Sequence, residues 1–139
     1  MTKISDKINS LWITFLLGTL FHTQLGLMPL FHGQNIAHSH ETGSIDWILW
    51  LMLLFFIVPS LAIISNLFSE SYQYRVFHFW LTVVYSVLNF IHLVMDLFVS
   101  PIAWYQIALM AVLLGIGLIL NVVSYQWMKI RSLKENYHH

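Results

Sequence analysis

The sequence predicts an all-α membrane protein, a single bundle of four transmembrane helices with both termini on the cytoplasmic side. Three observations predict it. Only 9% of the 139 residues are charged and 58% are hydrophobic, whereas a soluble domain carries about 25% charged residues. Four apolar runs, approximately residues 11–31, 46–68, 75–99 and 101–128, each reach the ~20 residues needed to cross the hydrocarbon core. All six Lys and Arg residues fall on one side when the runs alternate in direction. Lys3 and Lys7 precede the first run, Arg75 separates the second from the third, and Lys129, Arg131 and Lys134 follow the fourth. The positive-inside rule makes that side cytoplasmic, which in a bacterium means the inner membrane.

Residues 1–10 form a short polar lead, and the first run reads as an uncleaved span because it is too long for a signal segment. Thr14, Gly18, His22 and Gly26 recur every four residues within it. That places one imidazole among small residues that let backbones approach. Pro29 predicts a kink or an end to the helix near Leu25. The loop from Gly33 to Ser44 carries His38, His40 and Glu41, with His32 just before it. Ser44 or Asp46 is the expected N-cap of the second helix. The second run is bulky and apolar, and its short link to the third predicts antiparallel neighbours. Pro101 is placed as the first residue of the fourth helix. Residues 1–139 thus read as one integral membrane domain, and His138 and His139 carry no assigned role.

The third run holds the most informative pattern. His78, Thr82, Tyr85, Asn89, His92 and Asp96 follow at spacings of 4, 3, 4, 3 and 4, which keeps them on one face of an α-helix. Polar groups are costly in hydrocarbon, so this stripe should face protein, water, a cofactor or an ion. With a rise of about 1.5 Å per residue, His92 and Asp96 fall near the outer surface, level with His32. His22 then falls near the midplane, level with Tyr85. The metal candidates are therefore His32, His38, His40, His92 and Asp96. Imidazoles plus a carboxylate, with no cysteine in the chain, suit copper, zinc or iron. His22, His78, Tyr85 and Asn89 are candidates for holding a cofactor or orienting the ligands.

His78 and His92 stand fourteen residues apart on one face, about 21 Å. This spacing resembles that of the membrane cytochromes b, in which one helix offers ligands to two stacked haems. The resemblance covers this helix and these two residues, and it implies haem b as a cofactor. The pattern departs from that family in the first helix, where His22 and His32 are only ten apart and lie on different faces. One bis-histidine haem between His32 and His92 is the form that remains.

Two other functions fit the same residues. The stripe reads as a proton or ion relay, with Thr82, Tyr85 and Asn89 bridging His78 and His92. It also reads as the contact face of an accessory subunit, whose partner besides the lipid bilayer is another membrane protein or a second copy. A formal net charge of zero argues against nucleic acid. Phosphate-binding loops, dinucleotide fingerprints, nucleophile elbows and HExxH are all absent from the sequence, so enzymes built on those motifs are excluded. Whether the chain catalyses a reaction is left open.

Overall fold

The structure, a computed structural model, describes residues 3–35 and 45–135. Among them the chain forms four helices: α1 (Ile4–Phe31), α2 (Asp46–Phe68), α3 (Tyr72–Asp96) and α4 (Trp104–Glu135). Each is long and apolar enough to cross a membrane. Large apolar side chains such as Leu17, Trp50, Phe90 and Leu118 face outward. A continuous surface of that kind is unstable in water and at home in hydrocarbon.

Side-chain contacts fix the direction of each helix. Asn9 meets Asn66 while Phe15 meets Phe55, so α1 and α2 are antiparallel. Tyr74 meets Asn66 and Tyr85 meets Phe55, so α2 and α3 are antiparallel as well. Arg75 reaches Trp127 and Ser86 reaches Asn121, which sets α4 against α3 in the same sense. α4 packs closely on both α1 and α3, whereas α1 packs less extensively on α2. Lys3, Lys7, Arg75 and Lys129 consequently share one end of the molecule, called the basic end below.

Packing is tight where small residues permit it. A Cβ at Gly18 would collide with Leu113 of α4, and one at Gly117 would meet Ser86 Oγ at 3.0 Å. The core that results is aromatic: Trp12, Phe15 and Tyr85 pack edge to face, at centroid separations of 5.3–6.3 Å. Such geometry adds about 0.5–1.5 kcal/mol per pair beyond the burial itself.

α2 adheres differently. Pro59 has no N–H, so the Phe55 carbonyl one turn earlier has no backbone donor within its helix. Tyr85 Oη donates to that oxygen at 2.9 Å. At the basic end, Asn66 Nδ2 donates to Asn9 Oδ1 at 2.8 Å, and Tyr74 Oη lies 2.7 Å from Asn66 Oδ1 and 3.1 Å from the Ala62 carbonyl. Tethers of this kind hold α2 in place, and Asp46 to Leu54 of its far half are all exposed.

Several helix ends differ from the sequence expectations. α1 begins at Ile4 because Ile4, Ile8 and Trp12 continue the buried face back into the polar lead; Ile8 and Trp12 are fully buried. It also runs past Pro29. Gln34 N donates to the Pro29 carbonyl at 3.0 Å and Gly33 N to the Leu30 carbonyl at 3.1 Å, with Gly33 at φ +72°. This is a Schellman closure, and only a residue at ease in the left-handed region makes it cheaply. Ile45, not Asp46, caps α2, without a side-chain bond; Ser44 lies outside the described residues. Pro101 precedes α4, whose first turn is instead closed by the Ala103 carbonyl accepting from Gln106 N and Ile107 N.

Candidate metal centre

The polar stripe of α3 is buried over its first four residues, whereas His92 is exposed and Asp96 half-buried. His78, Thr82, Tyr85 and Asn89 are 0%, 1%, 6% and 3% exposed. α1 and α3 run parallel across the bundle, with α4 between them, and they meet at two levels.

Near the basic end, Trp12 Nε1 donates to His78 Nε2 at 2.9 Å. An indole N–H can only donate, so His78 Nε2 carries a lone pair and its proton resides on Nδ1. Trp12, Tyr74 and Trp127 surround the imidazole at centroid distances of 6.2, 6.1 and 5.6 Å. The Arg75 guanidinium lies 5.1 Å from the Trp127 ring and donates to its carbonyl at 3.3 Å. His78 is thus occupied by an indole and enclosed by rings. Tyr85 serves the Phe55 carbonyl, as described above. Asn89 Nδ2, with Arg75 Nε, His78 Nδ1, Asn121 Oδ1 and Ser124 Oγ, is buried without a protein partner.

At the far end, His22 of α1 and His92 of α3 stand edge to face, 5.5 Å between centroids. Asp96, one helical turn beyond His92, completes the group. Its Oδ2 lies 3.9 Å from His22 Nε2 and 3.6 Å from His92 Nε2. One ligand atom from each of the three residues falls within 4.8 Å of the others. Asp96 Oδ2 is itself buried and without a hydrogen bond. Two atoms bound to one tetrahedral zinc lie about 3.3 Å apart, given bonds of roughly 2.0–2.2 Å. A contraction of a few tenths of an ångström would bring the carboxylate to that spacing from each imidazole.

The sequence places His22 near the midplane, level with Tyr85; the structure sets it beside His92. Fourteen residues of α3, about 21 Å, run alongside ten of α1, about 15 Å. An equal rise counted from the start of each apolar run cannot show that mismatch. His32 does not join the group. It is exposed at the end of α1, beside a shallow cavity of about 300 Å³ lined by Leu25, Met28, Pro29, Gln34 and Tyr105. His38 and His40 lie outside the described residues.

One neighbour of this group was not among the sequence candidates. Gln106, in the first turn of α4, reaches both His22 and the α1 backbone. With its oxygen toward α1, the amide accepts from Gly26 N at 2.9 Å and donates to His22 Nδ1 at 2.6 Å and to the His22 carbonyl at 3.3 Å. Its signal in the sequence is a solitary amide near the start of an otherwise apolar run. No protein-family model, curated protein or solved structure matches this chain.

Proposed function

We propose that this chain spans the membrane four times with both termini in the cytoplasm, and that it holds one transition-metal ion through His22, His92 and Asp96 at the opposite end. The convergence of those three ligand atoms within 4.8 Å carries the reading. A carboxylate with two imidazoles suits zinc, iron or copper. Three protein ligands leave at least one coordination position open, as in sites that exchange ligands or meet a second molecule. Metal handling follows for zinc, and electron transfer becomes available with copper or iron. An ion fits the group better than haem b does. Asp96 Oδ2 stands within 4 Å of both imidazole Nε2 atoms, in the space a porphyrin ring would fill, and His78 is taken by Trp12.

The test is elemental analysis and metal titration of purified protein, with the absorption spectrum recorded alongside. The wild type should bind one ion and show no Soret band. His92→Ala should abolish binding, because Ile91 and Leu93 offer no ligand. Asp96→Asn should weaken it less, since the amide keeps an oxygen but loses the charge. His78→Ala, enclosed at the other end, should bind normally. Full occupancy in a folded His92→Ala variant would refute the site, and a stoichiometric Soret band would restore the haem reading.

A further inference from the structure

Gln106 can face its neighbours in two ways, and the two have different consequences for His22. With the oxygen on Gly26 N, the amide nitrogen donates to His22 Nδ1 at 2.6 Å. An imidazole nitrogen that accepts a hydrogen bond carries no proton, so the neutral ring holds its proton on Nε2. Nε2 is the atom that faces Asp96. A protonated nitrogen has no lone pair for a metal, so this arrangement withholds His22 from an ion. If the amide turns over, its oxygen faces Nδ1. The ring proton then belongs on Nδ1, where it donates to that oxygen, and Nε2 is free. Ligating histidines generally donate their other N–H to an oxygen in this way.

The approach is built into α1. Gly26 leaves the room for Gln106: a Cβ there would meet the end of its side chain at 3.3 Å. Turned over, the amide would set its nitrogen against Gly26 N and its oxygen against the His22 carbonyl, so it turns only where an ion on Nε2 and the new bond from Nδ1 outweigh the two backbone bonds lost.

Resting on the metal reading above, we infer that Gln106 is the positioning residue of the centre: its amide orientation selects the His22 tautomer and so decides whether Nε2 can take an ion. Metal binding and amide rotation are then one event. The proton moves from Nε2 to Nδ1 as the ion arrives, and no net proton is released by His22.

Two measurements test this on the full chain in detergent or nanodiscs. The first is nitrogen NMR of ¹⁵N-histidine-labelled, metal-free protein, with His22 assigned from its loss in His22→Phe. The wild type should show His22 protonated on Nε2. Gln106→Glu, which can only accept, should move the proton to Nδ1, and an unchanged tautomer in that variant would overturn the inference. The second is zinc affinity. Gln106→Glu, whose carboxylate only accepts and so keeps the proton on Nδ1, should bind about tenfold more tightly than wild type, the low end of what an outer-shell partner contributes. Equal affinity in Gln106→Glu and wild type would also overturn it. A wild type that takes no zinc, copper or iron refutes the metal reading alone. The tautomer measurement needs no metal and still decides whether Gln106 controls His22.

Discussion

Trp12 carries a single polar hydrogen, and it is directed at His78 Nε2. Both side chains are fully buried, so water cannot replace either partner. Removing the indole N–H while keeping a ring, as in Trp12→Phe, leaves an unpaired acceptor at a cost of about 1–3 kcal/mol. Chemical unfolding in detergent should show a loss of that size, with metal content unchanged because the centre is at the other end. An equally stable variant would mean that His78 finds another donor. Nothing in the sequence marks Trp12 for this part. It reads as one more interfacial aromatic, and its role exists only because α1 extends back to Ile4 and buries it against α3. The stripe His78, Thr82, Tyr85 and Asn89 was legible by contrast, since spacing alone puts those residues on one face and hydrocarbon forbids that face from pointing outward. The partners across the stripe were not legible, because helix offset is a property of packing. His22 is the clearest instance.

At the scale of the helix, Pro59 and Tyr85 act as a unit: the proline removes a donor from the Phe55 carbonyl and the tyrosine supplies one from α3. Tyr85→Phe should therefore destabilise the protein, by roughly 1 kcal/mol given that interhelical bonds in membranes average ~0.6 and reach ~1.7. In a Pro59→Ala background the same change should cost markedly less, since the restored backbone N–H can satisfy the carbonyl within α2. A double-mutant cycle measures the difference. Strict additivity would show that the two residues are independent. This pairing was readable in part. A proline within an apolar run announces an orphaned carbonyl four residues earlier, but not which helix answers it.

For the molecule as a whole, the alternating directions of α1 to α4 bring Lys3, Lys7, Arg75 and Lys129 to one end, which the proposed topology places in the cytoplasm. Single cysteines introduced at exposed positions of the cysteine-free chain test it. Gln34→Cys, beyond α1, should react with an impermeant thiol reagent from outside intact cells. Glu70→Cys, between α2 and α3, should react only after the membrane is opened. The opposite pattern would invert the orientation and put the proposed metal centre on the cytoplasmic face.

The exposed surface of the bundle extends to that centre. Past the Tyr85 tether, each residue from Trp47 to Leu54 of α2 remains exposed. His92 of α3 is likewise exposed, with 54% of its side chain uncovered among the described residues. Among the described residues the group is therefore uncovered on its His92 side, while His22 and Asp96 are partly buried. In the proposed membrane topology, the medium facing that side of the group is acyl chain and headgroup, so lipid rather than water is the neighbour His92 meets.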